Sequence, residues 1–170
     1  FLACCLMLII GNGISKMFAL PDFKLGWIAL NNAAFKKYGE RLEVLNDSFL
    51  SANTMIQASL PEIFEKGKDF ASKMYQSIRE NLDYAINVLK KCNTVEVVEP
   101  NGGYYLLVKV NTKHTEEEFV SKLIAKGVLV HPGSYYGLLD PTYILISCLT
   151  PREFLSRGLN VIVDTSQPVR

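Results

Sequence analysis

Apolar residues fall into different rhythms along the chain. Two short unbroken runs come first, Leu6 to Ile10 and Trp27 to Leu30, each bounded by glycine or polar residues. Runs of this length and setting predict buried strands. After the polar break at Asn31-Asn32 the spacing becomes helical. Phe35, Tyr38, Leu42 and Leu45 predict one buried stripe, on a helix over Ala34 to Leu45. Met55, Ile56, Leu60 and Ile63 predict a second, between Phe49 and Ile63, with Ser51 as a candidate cap and Pro61 marking a boundary or kink. The longest helical pattern runs from Gly67 to Lys91, with Phe70, Met74, Ile78, Leu82, Ile86 and Leu89 on one face. About 24 residues at 1.5 Å each span about 36 Å, long enough to bridge two domains.

From Asn93 the texture changes again. Val95 to Val98 and Tyr104 to Val110 predict strands around a turn at Pro100-Asn101-Gly102-Gly103. Glu116 to Lys126 predicts a helix, with Thr115 as N-cap and Gly127 as C-cap. Val128 to Val130 and Tyr143 to Ser147 predict two more strands. Thr150-Pro151 opens a last helix through about Val163, since proline suits a first helical turn, and a frayed tail follows from Ser166. This strand-strand-helix-strand-strand-helix series predicts a small α+β domain.

Composition narrows the function classes without deciding among them. The chain has 170 residues, 49% of them hydrophobic and 21% charged, with a net charge of +1. That balance gives no field suited to nucleic acid or to an acidic membrane. Cys4, Cys5, Cys92 and Cys148 show no zinc-ligand spacing, and reduced thiols in a cytoplasmic protein are the expectation. The apolar start, Phe1 to Ile10, is broken at Gly11. A membrane helix needs about 20 apolar residues, so a buried strand is the better reading. Such a strand needs neighbours on both sides and this sequence offers few, which predicts the C-terminal part of a longer protein or a fragment whose first half is missing.

Candidate chemistry concentrates between the first two strands, in Gly-Asn-Gly-Ile-Ser-Lys-Met-Phe-Ala-Leu-Pro-Asp-Phe-Lys-Leu-Gly-Trp, residues 11–27. Lys16 follows a strand end, where α/β sheets usually bind ligands. Lys24 lies eight residues on, before the next strand. One lysine there suits an imine and the other a phosphate. An imine needs a neutral amine, which burial or a neighbouring cation favours.

The full spacing resembles the cofactor-lysine signature of the class I/II aminotransferases, the fold-type I enzymes that use pyridoxal 5'-phosphate. The resemblance implies an α/β fold in three parts. Residues 1–66 would be the end of a large cofactor-binding domain and its sheet, 67–91 a long interdomain helix, and 92–170 a small α+β domain. Lys16 would form the Schiff base with the cofactor and carry protons as the catalytic residue, while Ser15 and Lys24 would hold the phosphate. Three positions depart from the family pattern: Lys24 stands where arginine is usual, Gly13 where a hydroxyl is common, and Asp22 where glycine is usual.

A second match runs through Val128-Leu-Val-His-Pro-Gly-Ser-Tyr-Tyr-Gly137, similar to the family's turn that faces the cofactor. Tyr135 and Tyr136 are implied to line the substrate pocket. His131 suits either a proton-transfer group or a loop histidine with its bonds satisfied. Leu145 occupies the position where the family carries the arginine that clamps the substrate carboxylate. Leucine cannot do this, so another cation such as Arg152 would act, or the substrate differs, or the activity is lost. The resemblance implies amino-group transfer between an amino acid and a 2-oxo acid, in a homodimer. Another pyridoxal phosphate reaction such as β-elimination, and a non-catalytic interaction domain, are the alternatives. The family's other cofactor-binding residues lie upstream of Phe1, so the chain alone is expected to be inactive.

Overall fold

The computed structural model describes residues 7–49, 52–139 and 141–167. Its elements, in order, are β1 (Ile9–Gly13), α1 (Ile14–Met17), a 3-10 turn (Pro21–Phe23), β2 (Gly26–Leu30), α2 (Asn32–Ser48), α3 (Thr54–Lys66) and α4 (Lys68–Leu89). Then come β3 (Val95–Val98), β4 (Tyr105–Val110), α5 (Glu116–Ala125), β5 (His131–Pro132), a second 3-10 turn (Gly133–Tyr136), β6 (Tyr143–Ser147) and α6 (Arg152–Ser166). The chain divides into two compact units, one up to Lys73 and one from Met74, so the division falls within α4.

In the first unit β1 and β2 form an antiparallel pair, with Gly13 opposite Gly26 and Ile10 opposite Ala29. Both glycines are required by close approach. A Cβ on Gly13 would lie 2.8 Å from the Leu25 carbonyl oxygen, and one on Gly26 would lie 3.0 Å from that of Asn12. The expected buried strands are corrected here. Ile9, Ile10 and Ile28 are 52%, 49% and 56% exposed, and among the described residues of the pair Trp27 is the one that packs against this unit's core. The first strand is also displaced, running from Ile9 to Gly13 rather than from Leu6, which lies outside the described residues.

α2 starts where Asn31 accepts from the Ala34 N–H at 2.9 Å. The anticipated stripe on α2 is not buried, since Phe35 and Leu45 are 63% and 56% exposed and only Ala34 is buried. Ser51, the anticipated cap, lies outside the described residues, and Asn53 caps α3 by accepting from Met55 and Ile56. Pro61 does not end that helix. Gln57, whose carbonyl loses its helix partner to the proline ring, is an exposed residue, so water can satisfy it. A small core gathers Ile14, Phe18 and Leu25 against Trp27, Ile56, Leu60 and Ile63, and the Phe18 and Phe64 rings meet edge to face at 5.2 Å.

The second unit is an antiparallel sheet in the order β3-β4-β6-β5. Strand residues alternate cleanly: Leu106, Val108, Val110, Ile144 and Ile146 are buried, and their neighbours are only half-buried. The buried set shares one core with Ala85 and Leu89 of α4, Phe119 and Leu123 of α5, and Leu155, Leu159 and Ile162 of α6. The three helices therefore lie on one face of the sheet, and among the described residues of this unit no helix covers the other, half-buried face. Of the anticipated apolar stripe on α4, Leu89 is buried and Leu82 and Ile86 pack against the core, Phe70 is 49% exposed, and Asn81 and Ala85 complete the buried line.

α5 has the anticipated N-cap as a full capping box: Thr115 accepts from the Glu118 N–H and Glu118 accepts from that of Thr115. Val128 to Val130 are irregular and pairing begins only at His131, a correction of the anticipated strand. Pro132 lacks an N–H and suits the sheet edge it occupies. α6 continues to Ser166, which is buried rather than frayed. Among the described residues no helix is long and apolar enough to cross a membrane.

Candidate active site

Lys16 is carried on a single helical turn, α1, rather than on a loop. The turn is fixed at both ends. The Ile14 N–H donates to the Leu25 carbonyl at 3.2 Å, and the Phe18 and Leu20 N–H groups both donate back to Ile14, at 3.0 and 3.4 Å. Ile14 and Phe18 are four residues apart, so they share a face and bury together, at 0% and 7% exposure. Lys16 falls on the opposite side of so short a turn and is exposed, while Ser15 is half-buried. Burial, one of the two effects expected to favour a neutral amine, is not present at Lys16 among the described residues.

Lys24 closes the 3-10 turn that begins with Pro21. Its φ of 50° and ψ of 40° are left-handed, as is Ala19 at φ 53°. A side chain in that region costs roughly 1–2 kcal/mol relative to ordinary backbone. The left-handed backbone sets where the cation leaves the chain. Ser15, Lys16 and Lys24 make no hydrogen bond or ion pair among the described residues. The structure thus gathers all three on one compact connection between β1 and β2, where α1 and the 3-10 turn contact each other.

Tyr135 and Tyr136 belong to the second unit, on the 3-10 turn after β5, and are 78% and 52% exposed. The turn is pinned from α5, where Glu116 accepts from the Ser134 N–H at 3.2 and 3.3 Å. Gly133 has no room for a side chain, since a Cβ would fall 2.6 Å from that of Tyr143. Tyr136 shares a hydrogen bond with His131 Nδ1 at 2.7 Å, and Tyr135 bonds nothing described. Burial, then the neighbouring phenols Tyr104 and Tyr136, push the Tyr105 hydroxyl above its ordinary pKa.

Arg152 is not a free cation. Its Nε donates to Asn81 Oδ1 at 2.8 Å and its guanidinium lies 4.5 Å from the Tyr84 ring centroid. Asn81 in turn donates to the Cys148 and Thr150 carbonyls at 3.0 Å each. This clasp went unseen in the sequence. Its only signal was a polar residue in step with Ala85 and Leu89, which a search for apolar stripes passes over.

The sequence matches the family described as aminotransferase class I and II over residues 1–162. The chain belongs to the class I and II aminotransferases. It is 24% identical over 167 residues to a tyrosine aminotransferase of Dictyostelium discoideum, covering 90% of this chain and 40% of that protein. It is 32% identical over 142 residues to an S-alkyl-thiohydroximate lyase of Arabidopsis thaliana, covering 74% of this chain and 30% of the relative. A PLP-dependent aminotransferase from Streptococcus suis has the same fold, with a TM-score of 0.75 and 20% identity over 92% of this chain and 41% of that one. The chain therefore spans less than half the length of the relatives it matches. The mixed α/β architecture anticipated from the sequence is the one found.

Proposed function

We propose that the protein of which this chain is part transfers an amino group between an amino acid and a 2-oxo acid, using pyridoxal 5'-phosphate. The family match supports this, and the unpartnered amine of Lys16 on the fixed turn between β1 and β2 is the observation that carries it. The donor set suits the cofactor. It offers an amine for an aldehyde, and a hydroxyl and a second ammonium for a phosphate dianion. Gly13 also keeps the backbone close enough to Leu25 that no side chain intrudes there.

Pyridoxal phosphate supplies an aldehyde that captures amines and a ring that accepts an electron pair. Lys16 presents Nζ to that aldehyde and afterwards holds and returns a proton at the substrate α-carbon. Ser15 donates its hydroxyl to phosphate. Lys24 adds a point charge, less directional than the arginine fork usual in the family. Residues 1–66 serve as part of the cofactor-binding domain, 67–91 as the interdomain helix and 92–170 as the small domain, with Tyr135 and Tyr136 towards substrate. Phe35, Phe49 and Met55, 63–77% exposed on and beside α2 and α3, suit a homodimer contact in a cytoplasmic enzyme.

Borohydride reduction after incubation with pyridoxal phosphate, followed by peptide mapping, tests the assignment. The label belongs on Lys16 and vanishes in Lys16→Ala. Label spread evenly over surface lysines would overturn it. The lyase relative supports elimination as the second reading. Keto-acid production that requires an amino acceptor decides for transfer.

A further inference from the structure

We infer that His131, braced by Tyr136, reads the carboxylate of a monocarboxylic substrate whose side chain is apolar or aromatic. This rests on the amino-acid and oxo-acid chemistry proposed above and names the substrate class of that chemistry. Three residues line up across the sheet: Leu107 of β4 pairs with Leu145 of β6, and Leu145 pairs with His131 of β5. Directly opposed residues on adjacent strands share a face, with Cβ atoms about 4.5–5.5 Å apart. That face is the open one. Leu107, Leu145 and His131 are half-buried, whereas Leu106, Ile144 and Ile146 are turned into the core. Tyr105 stands on the same face, its ring 5.5 Å from the imidazole.

The imidazole is held at one nitrogen. Nδ1 shares the hydrogen bond with the Tyr136 hydroxyl at 2.7 Å, and the two rings lie 8° from parallel. Nε2 has no partner among the described residues. When the phenol donates to Nδ1, Nε2 carries the proton and becomes a single directed donor. The alternatives nearby are occupied. Lys109, on the same face, bonds Glu96 at 3.1 and 3.2 Å, and Arg152 is committed to Asn81 and Tyr84. One donor set among Leu107, Leu145 and Tyr105 accommodates one carboxylate and an apolar body. A second carboxylate would meet leucine and a phenol ring.

Titration of the chain with 3-phenylpropionate, its amide and glutarate, followed by the histidine imidazole resonances in NMR, tests this without the cofactor. The acid should move the His131 resonances and bind about tenfold tighter than the amide, the ratio expected for one hydrogen bond to a charged group. Glutarate should bind no better than the amide. His131→Phe keeps a ring and removes both nitrogens, so it should abolish the preference for acid, and His131→Gln should restore part of it by returning a donor. Tyr136→Phe should weaken binding a few-fold. Equal binding of acid and amide, tighter binding of glutarate, or a preference that survives in His131→Phe would overturn the inference. A chain that binds the acid at His131 yet never takes up pyridoxal phosphate would overturn the proposed function alone.

Discussion

The second unit has a large buried core and the first a small one, although both expose large apolar side chains, such as Leu129 and Leu139 at 81% and 82% in the second. Leu106, Phe119, Leu123, Ile144, Leu159 and Ile162 are all at or below 1% exposure around one sheet face. In the first unit Ile14, Phe18, Leu25 and Ala34 are buried, while Ile28, Phe35, Phe49 and Met55 are 56–77% exposed. The lysine turn thus sits on the less consolidated unit, held by a few backbone bonds and a small core. Most of the buried core and the lysine turn lie in different units, so substitutions should separate stability from the proposed Lys16 chemistry.

The largest separation should come from matched truncations. Phe119→Ala empties a fully buried site and should cost about 3–5 kcal/mol. Phe35→Ala, at a side chain 63% exposed, should change the stability of the monomeric chain by less than about 0.5 kcal/mol. Urea denaturation with residue-resolved hydrogen exchange assigns each loss to its unit. Equal losses would mean that the α2 surface is covered in solution.

Next comes the clasp on α4. Asn81→Ala removes the donor to the Cys148 and Thr150 carbonyls and the acceptor for Arg152 Nε. Leaving such buried groups unpaired should cost about 2–3 kcal/mol, and hydrogen exchange should quicken in the β6–α6 turn and not at β1–β2. A loss felt equally by β1 and β2 would break the division between units.

The lysine turn offers a change of opposite sign. Lys24→Gly relieves a left-handed backbone and should stabilise the first unit by about 1 kcal/mol. The same change removes the proposed phosphate anchor, so labelling of Lys16 by pyridoxal phosphate should fall while the urea midpoint rises. If both fall, the left-handed residue is not strained. Activity and stability trading at one position is the pattern expected where backbone strain serves a site.

Much of the second unit was legible in the sequence because it obeys local rules. The strands Val95–Val98 and Tyr143–Ser147 fall where alternation puts them, and the Thr115 cap is a local pattern with a local cause. What escaped was non-local. The Asn81 clasp joins residues 67 and 69 positions apart, and the pairing of His131 with Leu145 depends on register across a loop. In the first unit apolar spacing does not translate into burial, because periodicity reports which residues share a face and not whether that face is covered. The order Ser15, Lys16 and Lys24 was visible in the sequence. The strained backbone under Lys24 and the close approach at Gly13 were not, since both arise from how β1 meets β2.

The smallest effect concerns the open face of the sheet. Glu96 accepts from Asn111 at 3.0 Å and from Lys109 at 3.1 Å, and these bonds hold its carboxyl below the ordinary carboxylate pKa. A carboxyl lowered in the folded state stabilises the fold above its unfolded pKa. That contribution is lost as pH falls through the lower, folded value. Stability of the second unit should therefore decline slightly more steeply with acid in the native chain than in Glu96→Gln, while the first unit responds alike in both. The pair is solvent-exposed, so high salt should erase most of the difference. Identical acid profiles at low salt would mean that Lys109 is not held by Glu96. That lysine would then stand free on the face of His131 and Leu145, and one carboxylate would no longer be the limit of what the face can read.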